Sequence, residues 1–169
     1  MKRIMIVGGP GSGKSTLAKL LGKKFNLPIF HMDMIHWKEN WEPRSNAEKI
    51  PLIHEIHMKE EWVFEGGNSG TYGERLERAD MLVWLDFPLP LRAVRIVRRA
   101  FLNLGESRPD LPSGCVERLD KEFLKFLHFT LTTSKRSRDK HLALIEQVEP
   151  SMVCRLKNLE EVRAFVERL

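Results

Sequence analysis

Eight residues near the start of the chain, Gly8-Gly9-Pro10-Gly11-Ser12-Gly13-Lys14-Ser15, restrict what it can fold into more than anything else in its 169 residues. They fit the spacing G-x-x-x-x-G-K-[ST] in full, and Thr16 follows. A turn of this kind wraps a polyphosphate in backbone N–H groups. Glycine lets the chain come close enough at the dihedrals required. The apolar stretch 3–7, Arg-Ile-Met-Ile-Val, reads as a buried central strand ahead of the turn. Residues 14–24 read as a helix whose positive dipole end points at the phosphates. Lys14 is then placed to reach β- and γ-phosphates and Ser15 to offer its hydroxyl to Mg²⁺, so the expected cofactors are ATP and Mg²⁺. The cradle is expected to run from Gly8 through Gly9, Pro10, Gly11, Ser12, Gly13, Lys14 and Ser15 to Thr16.

Beyond this turn, short apolar runs alternate with longer amphipathic ones, the pattern of an α/β fold with a parallel sheet. Further strands are expected at 28–32, 62–65, 81–85 and 152–156. Helices are expected at 45–59, 71–79, 91–104, 116–131, 135–148 and after Asn158. Ser45 or Asn46 caps the first of these, and Pro51 should kink it or mark its true first turn. On the helix at 91–104, Leu91, Val94, Val97 and Phe101 are expected to form the buried stripe, opposite Arg92, Arg95, Arg98 and Arg99. In the last helix Val162, Phe165, Val166 and Leu169 fall at i, i+3, i+4 and i+7, one buried face. Residues 105–114 carry two glycines and two prolines and read as a loop.

The length suits one domain spanning 1–169. A charge of +5 suits anionic partners such as nucleotides, phosphorylated metabolites or nucleic acid, and does not choose among them. No apolar stretch is long enough for a membrane span. The three-residue basic start leads into too short an apolar run for a signal peptide, so a cytoplasmic protein is expected. Cys115 and Cys154 lack metal-site spacing and read as ordinary thiols.

Several segments together resemble the adenylate-kinase-like branch of P-loop kinases, and more narrowly the small proteins called DNA topology modulation proteins. The segments are the phosphate loop, His31-Met32-Asp33-Met34-Ile35-His36-Trp37, Trp62-Val63-Phe64-Glu65-Gly66-Gly67-Asn68, Arg75-Leu76-Glu77-Arg78-Ala79-Asp80 with Leu85-Asp86-Phe87-Pro88, and Arg108-Pro109 through Gly114-Cys115-Val116-Glu117-Arg118. The resemblance implies a three-layer P-loop NTPase fold. Its five-stranded parallel sheet has order 2-3-1-4-5, helices on both faces and a short helical lid inserted at roughly 103–138. It implies a phosphotransferase moving the γ-phosphoryl group of Mg-ATP to a small-molecule acceptor such as a nucleoside or nucleotide. The same resemblance leaves open an ATP-binding regulator of DNA topology, or an ATPase with water as acceptor. No helix-turn-helix, zinc finger or RNP signature supports nucleic acid.

The resemblance also distributes roles. Glu65 supports Mg²⁺ through water, with Asp86 as its rival. Asp33 accepts a hydrogen bond from the acceptor hydroxyl and takes its proton. Asn68 and Arg75 follow the third strand; Arg75 either clamps an anionic group of the acceptor or pairs with neighbours on a solvated helix. Arg95 and Arg99 cover the adenine and touch phosphates. Arg136 or Arg138, carried by the lid, reaches the transferring phosphoryl group. His31 and His36 are expected to pack rather than catalyse.

Overall fold

The computed structural model describes residues 1–169 in full. Its central strand, β1 (Arg3–Gly8), is flanked by β3 (Trp62–Glu65) and β4 (Met81–Leu85), with β2 (Ile29–His31) and β5 (Val153–Leu156) at the edges. All four pairings are parallel and the order is β2-β3-β1-β4-β5, as expected. Parallel strands need crossover helices on both faces, so side chains on both faces are buried. Along β1, Ile4 and Ile6 enter one core with α1 (Lys14–Phe25) and α7 (Leu159–Arg168). Met5 and Val7 enter the other, beneath α2 (Met32–His36), α3 (Asn46–His57), α4 (Tyr72–Arg78) and α6 (Lys121–Ile145). Trp62, Phe64, Leu82 and Trp84 fill that second core, and all are essentially inaccessible to solvent.

Register places the functional ends together. Ile6 pairs with Glu65, Glu65 with His31, Gly8 with Leu85, and Leu85 with Leu156. Ligands of open parallel sheets lie at this carboxyl edge, where the strand order reverses.

Several local expectations need correction. The second strand covers only Ile29–His31 of the expected 28–32, and Asp33 lies in the first turn of α2. α3 runs unbroken past Pro51 because Ser45 and Glu48 close a capping box ahead of it and Ile53 is fully buried. The two helices expected at 116–131 and 135–148 are one helix, α6. Thr130, Thr132 and Thr133 return their hydroxyls to the carbonyls of Phe126, His128 and Phe129, so the hydroxyl-rich stretch does not break it. Of the segment expected as the insertion, residues 103–120 form a loop and the remainder belongs to α6, with Arg136 and Arg138 in the middle of that helix.

The largest correction concerns α5 (Leu89–Leu102). Its buried residues are Arg92, Ile96 and Ala100, while Leu91, Val94 and Phe101 are exposed. The helix turns an arginine inward because it packs on the phosphate loop. A Cβ at Gly11 would strike the Arg92 carbonyl and crowd Ile96.

Candidate active site

The loop between β1 and α1 has the form that its sequence predicts. Gly11 and Gly13 take positive φ values of 76° and 92°, a region closed to most residues. Gly13 caps α1 without any side-chain hydrogen bond, and no acidic residue lies in that first turn. The first N–H groups of α1 and its dipole are thus left for an external anion. Lys14 folds back to donate to the Gly9 carbonyl at 3.2 Å. Gly9 has no room for a side chain because the Arg92 guanidinium lies against it.

Arg92 fixes the loop from the α5 side. It donates from Nε to the Phe87 carbonyl at 3.1 Å, from Nη1 to the Pro10 carbonyl at 3.3 Å, and from Nη2 to the Ser134 hydroxyl of α6. The sequence pattern places Arg92 with the other arginines of the helix, opposite the expected buried stripe. The signal against that placement was the i, i+4, i+8 spacing of Arg92, Ile96 and the small Ala100.

On the acceptor side, Glu65 takes a hydrogen bond from the Ser15 hydroxyl at 2.9 Å and another from His31 Nδ1 at 2.7 Å, both on Oε1. Burial alone would raise its pKa, yet the bond from His31, the Lys14 charge and the Ser15 bond hold it below the ordinary value. Glu65 is thus an ionised carboxylate beside Ser15, a donor set of hard oxygens that fits Mg²⁺. His31 is the second residue whose part was underestimated: it orients this carboxylate. Asp86 is taken by a different pairing. Arg138 grips it at 2.9 and 3.0 Å, and Arg155 of β5 bonds the same carboxylate.

Asp33 follows β2 in the first turn of α2; its side chain is exposed to solvent while neighbouring groups crowd it. Burial, then the Glu65 charge, raise its pKa, with Lys14 and Arg108 opposing. Lys14, Glu65 and Asp33 therefore act on one another across the carboxyl edge of β1–β3.

The other expected residues divide. Arg95 stacks on Phe87, its guanidinium 4.9 Å from the ring centre. Arg99 points toward the 103–120 loop, its Nε 3.9 Å from Glu117. Arg136 is exposed. The Asn68 carbonyl closes a 3₁₀ turn by accepting from Thr71. Arg75 is neither a clamp nor a surface ion pair. It is 0% exposed, lies over Phe64 and Tyr72, and donates only to the Gly66 carbonyl. Burial lowers its pKa to about 10.

Two cavities open at this edge. One, about 600 Å³, lies between Gly9, Asp86, Phe87, Arg92, His141 of α6 and Lys157 after β5. The other, about 240 Å³, lies between β2, α2, α3 and Pro109, with His31 and Met34 in its wall. The 103–120 loop lies over the acceptor side, and residues 38–41 hold it there. Trp41 donates from its backbone to Cys115 Sγ at 3.3 Å and from Nε1 to the Val116 carbonyl at 2.9 Å, while Ser113 donates to Glu39 at 2.8 Å. Asn40 and Trp41 adopt positive φ to make this contact, a strained arrangement for residues with side chains.

No family model matches the chain. A cytidylate kinase of Methanosarcina barkeri is 27% identical over 143 residues, covering 75% of this chain and 77% of that protein. A cytidylate kinase of Pyrococcus horikoshii is 24% identical over 116 residues, covering 62% of this chain and 60% of its own length. Among solved structures, a shikimate kinase from Bacteroides thetaiotaomicron superposes over 99% of this chain and 95% of its own, with TM-score 0.60 and 19% identity. A gluconokinase from Sinorhizobium meliloti covers 99% and 92%, with TM-score 0.54 and 17% identity. These structural likenesses establish the fold. The names agree on a kinase and differ in the acceptor, and none is a DNA topology modulation protein. Loop, fold and relatives together support a P-loop phosphotransferase of the small-molecule kinase class.

Proposed function

We propose that this chain moves the γ-phosphoryl group of Mg-ATP to a hydroxyl of a small molecule held against Asp33. The observation that carries the proposal is the contact of Ser15 with Glu65, which joins the phosphate loop to the carboxylate that shares the cleft with Asp33. The triphosphate lies in the Gly8–Thr16 cradle, with Lys14 on its outer phosphates. Its nucleoside end extends into the larger cavity, which Phe87 lines, with Arg95 stacked on that ring. Mg²⁺, when bound, neutralises phosphate charge, and Ser15 and Glu65 hold it.

The acceptor oxygen bonds to the γ-phosphorus as the bridging bond to ADP breaks, and its proton passes to Asp33. The leaving oxygen keeps the electron pair. Such a transfer needs positioning more than a strong base. The 103–120 loop serves as the lid of a single domain, and Arg99 and Arg108 meet on its Glu117. In this arrangement Arg136 and Arg138 serve α6 rather than the phosphoryl group, with Arg138 committed to Asp86.

Calorimetric titration with Mg-ATP tests the reading first. Saturable binding by the wild type and its loss in Lys14→Ala are expected. ADP release is then measured across a panel of nucleosides, nucleotides and sugars, and an acceptor is expected to exceed the rate with water alone. A folded wild-type protein with no saturable Mg-ATP binding overturns the proposal. Turnover equal with and without every acceptor assigns the chain to ATP hydrolysis instead.

A further inference from the structure

We infer that Asp110 and Glu117 mask Arg108, so that the acceptor is an uncharged hydroxyl compound and not a phosphate ester. The inference rests on Asp33 marking the acceptor site. It then asks which cations near Asp33 are free to hold a second phosphate.

Arg108 is the first candidate. It is brought to the cleft by the 103–120 loop, and its charge acts on Asp33. Its Nη1 lies 2.9 Å from Asp110 and its Nε 2.9 Å from Glu117, and its side chain is only 11% exposed. Asp110 also acts on Asp33, so the pair enters the cleft as a unit. Arg99 is the second candidate, and Glu117 meets it too. These two guanidinium groups thus face two carboxylates and contribute no surplus charge.

Several other cations on this side are engaged elsewhere. Arg75 has no exposed surface. Arg44 divides its Nη1 among the carbonyls of Met34, Ile35 and Trp37. Lys49 is bonded to His36. Lys14 belongs to the ATP phosphates. A phosphorylated acceptor would bring a dianion toward Asp33, Asp110 and Glu117 while Arg108 and Arg99 already face carboxylates, and a poorly compensated charge in a crowded site is strongly disfavoured.

The space beside Asp33 suits a different ligand. The cavity of about 240 Å³ is lined by Ile29, Phe30, His31, Met34, Ile35, Ile56 and Pro109. Met34 is the chain neighbour of Asp33 and Pro109 that of Arg108. Such walls are mostly apolar, with one imidazole among them and no cation to meet a phosphate other than His31 if protonated, which is bonded to Glu65. Sites of this kind reject a wrong substrate by what they leave unpaired.

The test uses cytidine monophosphate as the probe. It is titrated calorimetrically into the full chain in the presence of Mg-ADP, for the wild type and for the double variant Asp110→Asn, Glu117→Gln. The expected result is no saturable binding to the wild type up to about 10 mM, and binding tightened about tenfold or more in the double variant, where like charges no longer oppose the phosphate. Thermal melting confirms that the variant folds. If the double variant does not fold, Glu117→Gln alone should show the same gain in smaller degree. Saturable binding to the wild type below about 1 mM overturns the inference, and so does a folded variant that binds no better than the wild type. In the acceptor panel, a phosphorylated compound that raises ADP release by the wild type overturns it as well. Absence of Mg-ADP binding, recorded before the probe is added, is a failure of the kinase reading and is seen separately.

Discussion

Replacing Arg92 by alanine tests the most unexpected feature of the fold, an arginine that supports the phosphate loop from within. Its three hydrogen bonds join the β4–α5 turn at Phe87, the loop at Pro10 and α6 at Ser134. The side chain is buried, so the deletion leaves the Phe87 and Pro10 carbonyls without their arginine donors and opens a hole against Gly9. Each such bond contributes on the order of 1 kcal/mol, somewhat more from a charged donor. A loss of about 3–4 kcal/mol is expected, or a fall in Tm of about 10 °C for a domain of this size. Urea unfolding at pH 7.5 measures the first and Mg-ATP calorimetry the second consequence, an affinity weakened about tenfold because the loop is no longer held. Arg98→Ala, on the exposed side of the same helix, is the control and should stay within about 0.5 kcal/mol. Lysine at position 92 lacks the fork and should recover only part of the loss. An alanine variant that loses less than about 1 kcal/mol and binds Mg-ATP normally refutes the assignment of Arg92 as the loop's support.

Two further expectations concern protons. His141 is buried between Tyr72 and Trp84, and burial, with Lys14 and Arg92 nearby, lowers its pKa from 6.5 to about 4. Its folded pKa is depressed, so its contribution to stability is complete above pH 6.5 and is lost as pH falls toward 4. At about 1.4 kcal/mol per tenfold change in proton affinity the full effect is about 3 kcal/mol. His141→Gln should flatten the difference in urea stability between pH 7.5 and 4.5, and an unaltered difference would exclude this origin. For Asp33, burial and Glu65 raise the pKa, and the protonated form cannot receive the acceptor's proton, so the acid limb of turnover should lie above the ordinary value of 3.8. Asp33→Asn should keep Mg-ATP affinity and lose about 100-fold or more in transfer. Full transfer in that variant removes Asp33 from the chemistry.

The strands and the phosphate loop were legible in the sequence because their signals are local. A glycine-rich turn ending in Lys-Ser needs a strand before it and a helix after it, and β3 and β4 are short apolar runs bounded by glycine, aspartate and proline. What the sequence hid was set by contacts distant along the chain. Rules of amphipathicity assign arginine to water, but the partners of Arg92 are carbonyls at positions 10 and 87 and a hydroxyl at 134, none adjacent on the helix. Hydroxyl-rich residues 130–134 lower helix propensity, yet α6 continues because Leu144 and His141 pack into the core beyond them. Arg75 could be read as a ligand clamp or as half of a surface ion pair, since both begin from an arginine near a strand end. Here Phe64 and Tyr72 close over it. The pairing of Arg108 with Asp110 and Glu117 needed the loop to fold back on itself through the Ser107–Val116 bridge.

The same comparison accounts for the acid at the end of β3. The length of the Glu65 side chain has a structural use here. β3 lies between β1 and β2, and Glu65 pairs in register with Ile6 on one side and His31 on the other. Ser15 follows β1 across the phosphate loop, so its hydroxyl approaches from one flank while His31 Nδ1 approaches from the other. The glutamate side chain brings Oε1 to the point where both reach it, at 2.9 and 2.7 Å. No protein hydrogen bond falls on Oε2, so the carboxylate is oriented by two neighbours through one oxygen and keeps the other for what enters the cleft. The acid at this position is thus matched to its two partners, and His31 belongs to the site because of the glutamate's length.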